Sequence, residues 1–535
     1  RELTEGRFER AERYAREVGV ERLILSVIYQ RAWTACYWFD DFAAVSSLYD
    51  EIEEIALGSD RIEDVELAVN IWQALYPLNE NRILTEGNKL KERTDRLVAH
   101  LEKVAGELDR PNNAANAKGF LILVQIMLDR ENEQHVGEHL RDIGSLFEDA
   151  KNLGGFQFQR FREIFELFGQ VFGEHPAYDE IFDPVLAIVE KRNSESAAGQ
   201  QLFKRGLQKI EADHPYDAIR FLGRAMARFI KHEERRHLES CLAGLAQAYG
   251  ACGLYWAEYC ALMSLLSTLL SRFEDDHSPR VRNGMIIISK QLTLNCLRTG
   301  NVPGFLFFYN LEKILIASRQ AGDSEDKGGC SEGDTRDIVF AIALLQATSE
   351  QTQSLAYLPE HLEQLGLVMS SFAINFMLGG PERLRAEKFV PASAADERIW
   401  EMISEVLAQP AREQIPDTIE IRDVQSAVLH SLLLGVEWRV VADNDHLTVR
   451  VAQSFLGFLE AILATSLNEE IMPTAASIEL RFAAHEHDDP NAHPLLSLRE
   501  DDDRDYWEIS VNKKRFERAG EYMVALRDAF MEIFG

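Results

Sequence analysis

The 535-residue chain is poor in several things, and each shortage excludes something. It has only 15 prolines, and they cluster at expected helix junctions. So few breakers in so long a chain favour helices over many short strands. Cationic residues are outnumbered, 57 Lys and Arg against 88 Asp and Glu, for a formal net charge of −31. A phosphate-tracking surface needs dense positive charge, so bulk binding of nucleic acid or anionic membrane is not expected. The six cysteines, Cys36, Cys241, Cys252, Cys260, Cys296 and Cys330, include no CxxC pair. Four of them, in helical segments beside small apolar neighbours, read as reduced core residues, which fits a cytoplasmic compartment. Apolar runs such as Gly119–Leu128 and Ile338–Leu345 fall far short of the ~20 residues that span a bilayer. No secretory signal is read in the charged stretch 1–18. No Walker A string or GxGxxG occurs, which leaves nucleotide hydrolysis without a seat and no cofactor expected.

What remains is a chain with 46 % apolar residues arranged at helical spacing. An N-terminal region, 1–195, divides into helices at polar breaks such as Gly58-Ser59-Asp60 and Arg110-Pro111-Asn112-Asn113. In it, Phe158, Phe161, Phe165, Phe168 and Phe172 recur at spacings of 3, 4, 3 and 4, which sets five rings on one seam of one helix. The plain reading is a core seam; the sharper one is a docking stripe for a partner. Residues 196–320 form three helical pairs broken at Asp213-His214-Pro215, Gly253-Leu254 and Thr299-Gly300-Asn301. Helices joined by turns this short pack antiparallel, and successive pairs stack. A polar, Gly-rich loop at 320–335 follows, then further helices over 336–408 and a linker at Pro410–Pro416.

The last region, 417–535, changes character. Gln425–Ala442 and Val449–Ser466 read as two apolar helices. Ile478, Leu480 and Phe482 alternate with Glu479 and Arg481, a strand pattern, and Tyr506–Val511 reads likewise. The two strands are expected to pair as a hairpin across an acidic loop, covered by a final helix Lys514–Phe534. The fold class expected is therefore mainly α: an α-solenoid of antiparallel helical hairpins with a small α+β cap at the C-terminus.

Leu242, Leu245-Ala246, Tyr249, Gly253 and Tyr255 stand at spacings that resemble the tetratricopeptide repeat, as do Tyr216, Ala218, Leu222 and Ala225 in the helix before. Small residues there let helices approach while large ones fill the gap between hairpins. Glu258 and Phe305 stand where that family has small residues. The resemblance implies protein binding along a groove, or self-association. In bacterial conflict and defence systems, similar repeats serve as the sensing or assembly half.

Candidate chemistry is sparse. Arg220, Arg224 and Arg228 lie at i, i+4 and i+8, with Lys231, Arg235 and Arg236 close behind, a line able to grip carboxylates or phosphates or simply a solvated face. His485, His487 and His493 share a loop with Asp488 and Asp489 and are of metal-ligating type, which admits a metal-dependent hydrolase as an alternative. His232 and His237 are five apart, so a helix does not put them on one face as a zincin requires. Gly329-Cys330-Ser331-Glu332-Gly333 matches GxSxG but lies in a hydrophilic loop without the strand and helix of a nucleophile elbow. The expectation is a non-catalytic scaffold or sensor. Because the first residue is Arg1, a second reading is the regulatory part of an effector enzyme whose catalytic domain precedes it.

Overall fold

In a computed structural model, the residues described are 1–84, 89–275, 277–320, 335–415, 428–433, 436–443, 446–466, 477–485, 496–499 and 506–512. They form a mainly α protein, an α-solenoid of antiparallel hairpins with a small α+β portion near the C-terminus. The chain divides into two compact units, Arg1–Gln201 and Leu202–Gly535.

Unit 1 is helical throughout its described residues: α1 (Glu2–Val18), α2 (Glu21–Phe39), α3 (Phe42–Gly58), α4 (Ile62–Glu80), α5 (Lys89–Ala105), α6 (Pro111–Leu128), α7 (Glu133–Ala150), α8 (Phe158–Phe172) and α9 (Pro176–Arg192). Each helix ends for a local reason. Gly19 adopts the left-handed conformation after α1, Asp41 accepts the Ala44 amide to start α3, and Asn132 accepts that of His135 to start α7. From α1 to α7 successive helices pack side by side, α7 packs on α9, and α4 also touches its alternate neighbours α2 and α6. α8 joins that row by close approach. A Cβ added at Gly119 of α6 would lie 2.2 Å from the Phe161 ring, so only glycine admits the ring there. One fully buried cation stiffens the stack. The Arg93 guanidinium donates to the Ser46 carbonyl at 2.7 Å and to its hydroxyl at 3.0 Å, pairs with Asp50, and lies over the Tyr49 ring.

Unit 2 continues the pattern from α10 (Glu195–Glu211), which crosses the division, through α11 (Pro215–Phe229), α12 (Arg235–Ala251), α13 (Tyr255–Asp275), α14 (Pro279–Arg298) and α15 (Val302–Gln320). Gly253 and Gly300 take positive φ at the two tight junctions, where a β-carbon would be strained. Leu242, Leu245, Ala246 and Tyr249 are buried, as are Ala218, Leu222 and Ala225. Next come α16 (Thr335–Leu345), α17 (Ser349–Ser354), α18 (Leu358–Leu365), α19 (Val368–Ala386) and α20 (Asp396–Leu407). α18 and α19 are separate helices because Gly366 turns left-handed and ends α18.

The α+β portion corrects the sequence reading in two places. Gln425–Ala442 is not a helix: β1 (Val428–Leu433) and β2 (Val436–Ala442) pair antiparallel. In β2 the residues Val436, Trp438, Val440 and Ala442 are buried while those between are less so, a period of two. α21 (His446–Ser466) then crosses to β3 (Ser477–His485), which runs parallel to β2. The expected hairpin of the last two strands is also wrong. β5 (Tyr506–Asn512) is the neighbour of β3 but runs parallel to it, because the chain between them returns as β4 (Leu496–Arg499), antiparallel to β5. The sheet order is β1-β2-β3-β5-β4. The expected helix Lys514–Phe534 and the loops at 321–334 and 500–505 lie outside the described residues.

A groove lined by alternate helices of unit 1

The aromatic seam of α8 is core at one end and wall at the other. Phe158, Phe161, Phe165 and Phe168 are buried, and Phe161 stacks on Phe156 at 5.0 Å while Phe165 stacks on Tyr178 at 4.8 Å. As a free docking stripe the seam therefore does not exist. Phe168 and the half-buried Phe172, however, form one wall of an open groove of about 660 Å³. The other walls come from α2, α4 and α6.

Each wall contributes for a reason readable from helical geometry. On α2, Tyr29, Trp33 and Tyr37 stand at i, i+4 and i+8 and therefore share a face. Trp33 meets Tyr29 edge-on at 6.0 Å and stacks on Tyr37 at 4.9 Å. α4 brings Asn70, Gln73 and Tyr76, and α6 brings Leu123, Ile126 and Met127. Tyr37 is 72 % exposed, Val171 64 % and Leu167 49 %, so the apolar lining is open to solvent. Polar groups are few and tied together. The Arg160 guanidinium donates to Asn70 Oδ1 at 2.8 Å, and Asn70 Nδ2 donates to the Tyr29 hydroxyl at 3.3 Å. Among the described residues, the only charged side chains in the lining are Arg130 and Arg160.

Unit 2 offers a contrast. There α21 lies across the alternate helices α11 and α13. Phe455, Leu456, Leu459 and Leu463 of α21 are buried, and a Cβ at Gly457 would meet the Trp256 carbonyl oxygen at 2.6 Å. Glu460 of α21, 1 % exposed, accepts the backbone N–H groups of Trp256 at 3.0 Å and Ala257 at 2.8 Å, and the Ser431 hydroxyl at 2.5 Å. A carboxyl from another element thus caps the start of α13. Burial pushes the Glu460 carboxyl up to about 8, against the pull of those three donors. Asp337 does the same for α19, accepting the Met369 and Ser370 amides at 2.9 and 2.8 Å.

The basic line predicted on α11 is present but largely engaged. Arg220 donates to Asp217 at 3.1 Å and Arg228 to the Arg224 carbonyl at 3.1 Å; Arg224, Arg228 and Lys231 have further partners. Arg235 donates to the Thr268 carbonyl of α13 at 2.8 Å, so it ties α12 to α13. Of the histidines proposed for a metal, His485 ends β3, and His487 and His493 lie outside the described residues. Among the described residues, no helix is long and apolar enough to cross a membrane.

The groove itself was not anticipated. The i, i+4, i+8 run of Tyr29, Trp33 and Tyr37 was its one local signal, and the rest depends on which helices come together.

The protein is thus an α-solenoid by fold. No family model matches the sequence and no curated protein matches it. Among solved structures the chain is similar to a "circular tandem repeat protein with novel repeat topology and enhanced subunit contact surfaces", at 13 % identity over 76 % of this chain and 94 % of that one. The TM-score of 0.19 is too low to bear on function.

Proposed function

We propose that this protein is a non-catalytic helical-repeat scaffold or sensor that holds a protein segment, with the unit 1 groove as its seat. The observation that carries this reading is the solvent-open aromatic and aliphatic lining contributed by four helices, Tyr37, Leu167 and Val171 among it. Contiguous apolar surface that water still reaches is the signature of an interaction site rather than of a core. The tetratricopeptide-like spacing on α11 and α12 supports repeat-type packing of the same kind in unit 2. Assembly with a protein partner, as in a defence complex, is the role this architecture serves.

A photo-crosslinking amino acid tests the seat. Placed at Tyr37, it is expected to capture a discrete protein segment in cells that express the native partner. The same group placed at Trp400, exposed on α20 and not part of the groove's lining, is expected to capture none. Capture at Trp400 but not at Tyr37 would move the seat elsewhere and overturn the reading.

A further inference from the structure

We infer that the unit 1 groove selects an apolar peptide segment that carries a carboxylate, gripped by Arg130 and Arg160. This deepens the scaffold reading and rests on it. The first ground is charge. The groove is aromatic and aliphatic with two amides, and among the described residues its only charged lining groups are these two arginines, in a chain whose net charge is −31. Glu66 and Glu80 stand behind these arginines and outside the lining, so within the lining itself a carboxylate has partners and a cationic group has none among the described residues.

The second ground is spare donor capacity. The Arg160 side chain stays partly exposed while one of its nitrogens donates to Asn70, and its closest acid, Glu66, stands 3.6 Å away. Arg130 stands 4.0 Å from Glu80. Both ion pairs are longer than a hydrogen bond, so each guanidinium fork keeps N–H groups to offer. The ends of α4 and α6 place Arg130 beside Tyr76, while Asn70 orients Arg160 from α4.

The third ground is the molecule's own precedent. In unit 2 the alternate helices α11 and α13 are covered by α21, an apolar segment that carries one buried acid, Glu460, received by donors on the helix it covers. The unit 1 row presents the same type of surface with donors waiting and no segment upon it among the described residues.

The experiment uses the whole chain, immobilised, and a displayed library of random peptides of about twelve residues. Selected peptides are expected to combine aromatic or aliphatic residues with Asp or Glu. As free peptides they are expected to bind about tenfold more weakly to Arg160→Gln and to Arg130→Gln, the loss of one charge-assisted contact each. Arg130 is exposed, so its variant folds even if Arg160→Gln does not. Arg130→Lys is expected to recover part of the affinity, since charge returns without the fork. Selection of basic or uncharged apolar peptides, or affinity unchanged in both glutamine variants, would overturn the carboxylate preference while leaving the scaffold reading in place. No enrichment of any peptide would overturn both.

Discussion

The two units apply one architecture to opposite ends. In unit 2, the row made by α11 and α13 is sealed by the chain's own α21, and a carboxyl is driven into the seam. In unit 1, the row made by α2, α4, α6 and α8 keeps its aromatic face in water. The difference lies in what covers the surface and not in the helices themselves. It teaches that stacked hairpins generate binding surface as a by-product, which is then consumed internally or left open. Four changes would break or sharpen the contrast.

The largest effect is expected at the contact that completes the open row. Phe161 is fully buried and seated against Gly119, so Phe161→Ala leaves a cavity with no side chain able to fill it. The cost is about 3–5 kcal/mol. Hydrogen exchange should show lost protection over α6 and α8, with α13 and α14 unchanged. Equal loss in both units would mean that they do not unfold separately.

The sealed row is attacked from the other side by Gly457→Val. Its Cβ would collide with the Trp256 carbonyl and with Cys260 Sγ at 2.7 Å, and backbone cannot swing away as a side chain can. Overpacking of this kind costs about 1–3 kcal/mol. Here the expected result is specific: α21 lifts, the Trp256 and Ala257 amides lose protection, and unit 2 gains an exposed apolar row. Such a variant should bind a hydrophobic dye that the parent does not bind there.

The seam should also respond to pH. The Glu460 carboxyl is held near 8 by burial, so the folded state keeps a proton that the unfolded chain releases at ordinary carboxyl pH. Stability from this group is therefore present in full at acid pH and is lost as pH rises towards and through about 8. The slope is at most about 1.4 kcal/mol per pH unit. Glu258, also raised by burial and facing Arg298 and Asn295, contributes with the same sign. Glu460→Gln should flatten the slope between pH 6 and 9, because an amide oxygen still accepts the two N–H groups and its nitrogen can face Ser431. A slope unchanged in that variant would assign it to other groups.

Much of this was legible in the sequence because it is local. Glycines 253 and 300 marked the junctions that turn left-handed, and the 3–4 spacing of Phe158 to Phe168 marked a buried seam. The errors fall where the decisive contact is distant. Val428–Ala442 is apolar enough for either element, and only the alternation of Val436, Trp438, Val440 and Ala442 favoured strand. The parallel placement of β5 beside β3 depends on β4, whose four residues carry almost no pattern. Glu460 was a usable clue, one acid inside the apolar run Phe455–Leu463, since an acid there needs a partner. Arg160 and Asn70 lie 90 residues apart, and nothing in either neighbourhood announces their pairing.

The smallest stability effect should accompany the sharpest functional one. Trp33 is partly buried, packed by Tyr29 and Tyr37 of its own helix, and lines the open groove. Trp33→Ser removes a large aromatic face yet opens no closed cavity, so the loss of stability should stay near or below about 1 kcal/mol. If the groove is a seat, that same change removes an aromatic anchor of the kind that dominates interfaces, and binding of a selected peptide should fall about a hundredfold. If Trp33 were merely part of an unfinished core, the two quantities would move together: stability would drop by several kcal/mol and peptide binding would track the folded fraction. Measuring both on one variant separates an open row from a poorly sealed one.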